Sequence, residues 1–470
     1  MLKKFISHTF IYGLSNQIPK IAGILALPLI TRDLSENDYG IYGVVIAYSS
    51  SIEIFATLGM RVSFINTFYK GGVHFKKFWN HLFAFLITWR IPYTVLHFSI
   101  IYAILPDEVA NKALTAILSV GASALFGPIS VMGTVYYQLK EKPRVVGSLG
   151  ILGGIVTVLL NVFFISVLKL GYLGFLWSTL CGGLLVNILY TYLIAGELGL
   201  RPNFPFNWKF VKRSLSLALP TIPHFYSMFL LNTSDRIIMN QMGVKTDDIG
   251  KYNVSYTVGN IFQSIAMASG FAITPLMMRC YKENNERLAR RLVFFLQAIF
   301  LVATFVACIW MREIFALLIK NEGLSQMYYL SVIIVMSFNY RPIYYGAVNK
   351  LIYLEKTRVL WRLTFIPGLL NLILNLIFIP IYGYEFAVIS TFVSFALVGM
   401  LGYFQKDYIA NRSLPYYPVL WTALNVVLTV AAYILKDVDL PWKISFTVVT
   451  AVGVLWIYLQ LKKLGRMINL

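Results

Sequence analysis

Long apolar runs separated by short polar connections fill almost the whole chain. About 20 apolar residues cross the hydrocarbon core of a bilayer, and the runs suit that length. The pattern predicts about 14 membrane helices. They lie near residues 8–31, 40–63, 78–104, 112–137, 145–168, 171–195, 213–238, 249–275, 292–318, 326–348, 359–380, 384–404, 417–435 and 442–461. The connections are short, so little of the chain is expected outside the bilayer. Lys3 and Lys4 before the first run imitate a secretion signal. That run is too long, carries Ser15, Asn16, Gln17 and Lys20, and shows no small-residue cleavage site, so it reads as a retained helix.

Composition agrees. Of 470 residues, 58% are hydrophobic and 13% charged, against about 25% charged in soluble domains. The mean hydropathy is +0.70. These values exclude a disordered chain, a coiled coil, a collagen and a disulfide scaffold. The net charge of +20 does not make a nucleic-acid binder, because the bases lie between apolar runs. Cys181, Cys280 and Cys308 are too scattered for a metal site or a disulfide framework.

The bases also set an orientation. Lys140, Lys142 and Arg144, or Arg279, Lys282, Arg287, Arg290 and Arg291, fall in connections on the side of the N-terminus. Counted over all connections, that side leads by more than two to one. By the positive-inside rule both termini are expected in the cytoplasm.

Residues 128–164 and 342–378 align at a constant offset of 214. The identities include Pro128/Pro342, Glu141/Glu355, Lys142/Lys356, Arg144/Arg358, Gly154/Gly368 and Asn161/Asn375. A second echo joins Asp38-Tyr39-Gly40 to Asp248-Ile249-Gly250. The expected fold is an all-α polytopic membrane protein. Two parallel six-helix repeats, residues 1–200 and 201–410, surround a central cavity, and residues 411–470 add two further helices. Parallel repeats of this kind mark secondary transporters, which hold substrate near mid-membrane.

Several segments resemble one family. The stretch Leu219-Pro220-Thr221-Ile222-Pro223-His224, then Asn232-Thr233-Ser234-Asp235-Arg236-Ile237, then Gly250-Lys251-Tyr252, is similar to helices 7 and 8 of bacterial polysaccharide transporters. Tyr12-Gly13, Pro28-Leu29-Ile30-Thr31-Arg32 and Asp38-Tyr39-Gly40-Ile41-Tyr42 resemble their N-terminus, and Asn349-Lys350-Leu351 with Lys356-Thr357 resembles the end of their helix 10. The family is that of the O-antigen (Wzx-type) flippases, in the multidrug/oligosaccharidyl-lipid/polysaccharide exporter superfamily. The resemblance covers most of residues 1–405. It implies translocation, at the bacterial inner membrane, of an oligosaccharide carried on a polyprenyl diphosphate. A polysaccharide polymerase and glycosyltransferases would be its neighbours in such a system, and membrane lipids its surroundings.

Charges inside the predicted spans carry the candidate chemistry. Lys20, Arg90 and Arg341 lie deep, at about 2.5–3.5 kcal/mol each on insertion scales, with Arg61 near a helix end. Glu53 is the one comparably deep acid. An excess of buried cations calls for an anion, and a diphosphate supplies one. At the offset of 214, Arg341 corresponds to Gly127, so the fold does not require arginine at that place. Against a ligand role, Arg341 caps a carbonyl freed by Pro342 or pairs with Glu53. Arg90, beside Pro92, reads equally as ligand or structural pair. Lys20 shares a polar helix face with Tyr12, Asn16 and Gly23.

Glu53 either carries a coupling proton or is the permanent partner of a cation. Asp235 either helps bind a coupling ion (H+ or Na+) or forms an interface ion pair with Arg236. Asn16, Gln17, His224, Asn232, Asn371 and Asn375 are candidate cavity-lining residues. Asn375 has the counterpart Asn161, which fits a helix-bridging role as well. Pro19 and Pro28 in the first helix, and Pro220 and Pro223 in the seventh, point to the moving, substrate-binding parts.

No P-loop, nucleotide fingerprint, Cys/His spacing or paired carboxylates appear, so the chain is expected to be no enzyme and to use no organic cofactor. Three rivals stand beside the flippase. A multidrug antiporter would favour acids in its cavity. A lipid II flippase would share a cationic one. A membrane glycosyltransferase would need an acidic catalytic loop larger than those at Asp107-Glu108 and Asp247-Asp248.

Overall fold

The structure is a computed structural model that describes residues 2–105, 109, 111–199, 201–450 and 453. The side chains of residues 2–14, 16, 73, 122–126 and 224 are not among those described. Asn16 and His224 as lining residues, the Asp107-Glu108 loop and the end of the last predicted span therefore lie outside the description.

Every regular element among the described residues is helical. In chain order they are α1 (Leu2–Arg32), α2 (Glu36–Glu53), α3 (Arg61–Lys70), α4 (Phe75–Ile104), α5 (Lys112–Leu139), α6 (Pro143–Asn161), α7 (Tyr172–Leu198), α8 (Trp208–Ala218), α9 (Ile222–Asn232), α10 (Ser234–Gln241), α11 (Thr246–Lys282), α12 (Glu286–Ile309), α13 (Met311–Leu318), α14 (Glu322–Ser325), α15 (Tyr328–Ser337), α16 (Tyr340–Tyr353), α17 (Leu360–Tyr382), α18 (Phe386–Leu401), α19 (Lys406–Asn411) and α20 (Pro418–Leu435). Each predicted stretch overlaps helix among the described residues, several with breaks inside them. Nine helices among the described residues are long and apolar enough to cross a membrane.

The differences from the expected spans have local causes. The stretch 40–63 is not one helix. It breaks between α2 and α3, where Leu58 and Gly59 take positive φ (49° and 70°) and a Cβ on Gly59 would lie 2.8 Å from the Ala218 carbonyl oxygen. The stretch 213–238 divides into α8, a 3-10 turn at Leu219–Thr221, α9 and α10. Pro220 and Pro223 lack the amide hydrogens that a continuous helix would use. The stretch 326–348 breaks at Phe338 and Asn339, just before Pro342, and 292–318 breaks at Trp310.

The chain forms two compact units. The first comprises Met1–Asn253, Leu318–Asn321 and Thr364–Tyr384; the second comprises Val254–Leu317, Glu322–Leu363 and Glu385–Leu470. Repeat boundaries describe duplication and these units describe packing, so the two need not coincide. The first unit has a core of fully buried Met60, Phe64, Trp79, Leu82, Leu86, Met132 and Val211. The second is built around Met277, Ala289, Val293, Ala347, Leu351 and Leu363.

The two turns at the offset of 214 match in backbone detail. After α5 the amides of Lys140, Glu141 and Lys142 donate to the carbonyls of Tyr136, Gln138 and Tyr137; after α16 the amides of Leu354, Glu355 and Lys356 donate to those of Lys350, Ile352 and Leu351. Each bond recurs 214 residues on. Glu141 and Glu355 both sit in the left-handed region (φ 54° and 59°), where a helix closes by a Schellman turn. Lys142 then pairs with Glu197 at 3.1 Å and Lys356 with Asp407 at 3.7 Å.

Within the first unit the Gly40/Gly250 echo is itself a contact. A Cβ on Gly40 would strike the Thr246 carbonyl and one on Gly250 the Glu36 carbonyl, so α2 and the start of α11 cross at their paired glycines. Gly154 and Gly368 repeat the logic. The first takes Pro19 of α1 at the closest range, and the second takes Leu230 of α9, whose Cβ lies 2.8 Å from where a Gly368 Cβ would stand.

Candidate functional site

Arg341 sits in the first turn of α16, just after the α15–α16 break. Gly399 lets α18 approach closely: a Cβ there would meet Tyr340 Cβ at 3.1 Å and Ile343 Cγ2 at 3.1 Å. This seats the Arg341 guanidinium above the Phe395 ring, 5.3 Å from its centroid. Arg341 is 5% exposed.

Breaking the helix frees carbonyl groups, and buried carbonyls need donors. The Phe338 carbonyl, four residues before Pro342, accepts from the backbone amide of Arg341 at 3.1 Å, and neighbouring carbonyls take side-chain amides. Gln297 Nε2 donates to the Asn339 carbonyl at 2.9 Å and Asn425 Nδ2 to the Met336 carbonyl at 3.1 Å. The Asn339 side chain is tied to Thr304 of α12 at 2.8 and 3.0 Å. The carbonyl freed by Pro342 is thus capped by the backbone of Arg341 and not by its side chain. No ion pair among the described residues includes Arg341 or Glu53. Two Arg341 nitrogens, Nε and Nη2, are buried and make no hydrogen bond. Buried polar groups in folded proteins are nearly always satisfied, and an unsatisfied guanidinium at an aromatic face is chemically ready for an anion.

The first unit places a second guanidinium. Arg90 lies on α4, half-buried, with Nη2 3.5 Å from where a Cβ on Gly127 of α5 would stand. Next to it, Trp89 Nε1 donates to the Phe55 carbonyl at 2.9 Å, which fastens α4 to the break after α2. Glu53 is the last residue of α2, immediately before that break, and is exposed. Lys20 is exposed too, on the residue after Pro19, where α1 packs on Gly154.

Other predicted residues are held in the framework. Arg61 donates to Gln138 Oε1 at 2.7 Å. Asn232 donates to the Met228 carbonyl at 2.7 Å and accepts from Arg236 Nη1 at 2.8 Å through its own carbonyl. Arg236 also pairs with Asp235 at 3.5 Å and donates to Asn253 at 3.0 Å, while Tyr252 donates to the other Asp235 oxygen. Of the two readings of Asp235, the arrangement observed is the ion pair. Asn371 and Asn375 are fully buried and bonded to each other at 3.1 Å; they line no open surface in this conformation. Gln17 is half-buried on α1.

His97 was not singled out in the sequence. It is 1% exposed, its Nε2 lies 3.2 Å from Ser49 Oγ, and its Nδ1 has no hydrogen-bond partner. The signal was there in Arg90, Tyr93 and His97 at i, i+3 and i+7 on one helix face. Asn339 was missed likewise, although it stands two residues before the Arg341-Pro342 pair.

Solved structures with the same architecture define the class of protein. The lipid II flippase MurJ, in an inward closed conformation, is 12% identical, with 91% of this chain and 98% of that one covered and a TM-score of 0.69. A multidrug resistance transporter of the MATE family and MOP superfamily, inward-facing, is 13% identical over 88% and 99% with a TM-score of 0.65. A MOP superfamily transporter from Pyrococcus furiosus, described as having a binding pocket of reversed polarity, is 13% identical over 93% and 97% with a TM-score of 0.53. The fold is therefore that of the all-helical, multi-pass membrane proteins to which these transporters belong. No curated protein matches the chain in sequence. The chain belongs to the family described as polysaccharide biosynthesis protein, whose model it matches over residues 5–280, more than half its length.

Proposed function

We propose that this protein is a flippase for a polyprenyl-diphosphate-linked oligosaccharide, an O-antigen, capsule or exopolysaccharide repeat unit, moved across the bacterial inner membrane by alternating access. Both termini face the cytoplasm. One observation carries the reading: the buried Arg341 guanidinium has two unbonded nitrogens and no carboxylate among the described residues, while other side chains cap the helix break beside it. A guanidinium binds phosphate oxygens in a fork, and a lipid-linked glycan presents two phosphates. Membership of a polysaccharide biosynthesis family supports a glycan as the cargo.

Lys20 and Arg90, the other deep cations of the sequence, are further candidates for binding an anionic head group. Arg61, already committed to Gln138, serves the framework instead. Glu53 is the candidate proton or sodium carrier, since it lies at a helix break and makes no ion pair among the described residues. Glycosyltransferases supply the cargo and a polymerase consumes it.

The test uses proteoliposomes that hold a fluorescent polyprenyl-diphosphate disaccharide, with an impermeant reagent reporting which leaflet displays the sugar. The full chain exchanges the label between leaflets, and Arg341→Ala at equal incorporation does not. Normal exchange by Arg341→Ala overturns the assignment, and exchange of a polyprenol-linked sugar lacking phosphate overturns the head-group mechanism.

A further inference from the structure

The first compact unit carries a basic surface built from segments that contain no acid. No Asp or Glu occurs between Glu53 and Asp107, or between Glu197 and Asp235. The fold joins these two segments, which are distant in the chain. The amide of Arg201 donates to Asn80 Oδ1 and that of Asn203 to the Asn80 carbonyl, both at 3.3 Å, and the amide of Asn207 donates to His81 Nδ1 at 3.3 Å. Phe210 of α8 packs on Phe78 of α4 with ring centroids 4.9 Å apart. These contacts gather six exposed bases at one end of the unit: Lys76 and Lys77 in the first turn of α4, Arg201 in the connection, and Lys209, Lys212 and Arg213 in the first two turns of α8.

Helix α8 is fixed with its bases outward. Val211, Ser214 and Ala218 form its buried face, and Ser63 Oγ of α3 donates to the Ser214 carbonyl at 2.8 Å. Lys209, Lys212 and Arg213, spaced i, i+3 and i+4, lie on the opposite face. None of the six takes part in an ion pair among the described residues. Bases in other connections do: Lys142 pairs with Glu197, Arg279 with Glu283, Lys350 with Glu286 and Lys356 with Asp407. Collecting bases on one side of a membrane fits orientation alone. Orientation does not require that acids be kept away, and the paired bases show that the chain accepts acids beside them. Like charges held on one surface repel each other, so this surface calls for a counter-charge from outside the chain.

Two features identify that counter-charge. The first is depth: α4 and the stretch Trp208–Asn232 are each long and apolar enough to cross a membrane, and the bases fill their opening turns, the level of lipid head groups. The second is company: Phe204 and Trp208 are exposed among the bases, and such rings settle at the boundary between head groups and acyl chains. A soluble polyanion would leave them in water.

We propose that this face of the first unit binds the anionic head groups of phospholipids, the bases taking the phosphates and Phe204 and Trp208 entering the interface beside them. Each base near an anionic leaflet contributes roughly a fivefold gain in affinity, which salt screens. Arg341 takes no part in this surface, so the surface stands or falls apart from the diphosphate reading.

The test is a thermal-shift titration of the detergent-solubilised full chain with phosphatidylglycerol. Phosphatidylethanolamine of the same acyl chains and soluble glycerol phosphate serve as comparators. Phosphatidylglycerol is expected to raise the midpoint saturably, less so with added salt, and neither comparator to match it. Lys76→Gln/Lys77→Gln/Lys209→Gln/Lys212→Gln is expected to weaken apparent affinity for phosphatidylglycerol about tenfold or more. Lys282→Gln/Arg287→Gln/Arg291→Gln/Lys406→Gln removes the same charge from exposed positions of the second unit and should titrate like the parent chain. The proposal is overturned by parental affinity in the first variant, by an equal loss in the second, or by a parent chain that phosphatidylglycerol shifts no more than phosphatidylethanolamine does. A shift by glycerol phosphate as large as the lipid's also overturns it, since the face would then be a site for soluble anions. Should the first variant fail to fold, Lys209→Gln/Lys212→Gln decides: parental affinity there overturns the proposal as well.

Discussion

Replacing Arg341 by Met separates what the guanidinium costs the fold from what it does for transport. Methionine keeps the length and the apolar stem and removes the charge. In the structure Nε and Nη2 are buried without a hydrogen-bond partner, and each such donor costs about 1–3 kcal/mol. The contact with the Phe395 ring at 5.3 Å returns about 0.5–2 kcal/mol, and a thioether on the same ring recovers about 0.3–1.5 kcal/mol of that. Taking the middle of these ranges, the ligand-free Arg341→Met protein should be more stable than the parent by roughly 2–4 kcal/mol. The assay is a detergent-solubilised melt followed by tryptophan fluorescence, without added lipid-linked sugar, paired with the proteoliposome exchange assay. We expect a midpoint a few degrees higher and no transport. A lower midpoint would show that the fold already satisfies the guanidinium, and the argument for a waiting anion site would fail with it.

Two further outcomes follow from other positions. Glu53→Gln should preserve protein level and remove the dependence of exchange on an imposed proton or sodium gradient; a dependence equal to that of the parent chain would rule out a coupling role. Asp33 lies in the loop after α1, where hydrogen bonding to the Lys169 ammonium at 2.5 Å holds its carboxyl below the usual carboxylate range. Because the folded value is lowered, this pair stabilises above the ordinary aspartate pKa of about 3.9 and its contribution is lost as pH falls through the depressed value. Asp33→Asn should therefore melt slightly earlier than the parent at neutral pH, by about 1 kcal/mol for a pair whose lysine is exposed, and the two curves should converge in acid. A constant gap from pH 7 to pH 3 would refute the linkage.

The membrane class, the helical content and the internal sequence echo were legible in the amino-acid order alone. The reason is that each rests on a local or periodic property: the length of apolar runs, the side on which bases accumulate, and the fixed offset between Glu141-Lys142 and Glu355-Lys356. The depth of Arg341, and its contrast with Gly127, could be read the same way. Hydropathy could not place the breaks inside those runs. The break after Glu53 depends on backbone in the left-handed region and on close approach to Ala218. The one before Arg341 is held by Gln297 and Asn425, 42 and 89 residues from the carbonyls they cap.

Tertiary structure alone decided which partner each of these polar residues meets. Asp235, Asn371, Asn375 and Arg61 looked as available as Arg341 in the sequence, and their partners are near or far in the chain without any pattern that spacing reveals. Whether a side chain is satisfied depends on what folding brings within about 3 Å of it, and that distance is not written in the order of residues. The same holds for Arg90. Its charge was visible in the sequence, but its position over Gly127, 37 residues further along the chain, follows only from how α4 packs on α5.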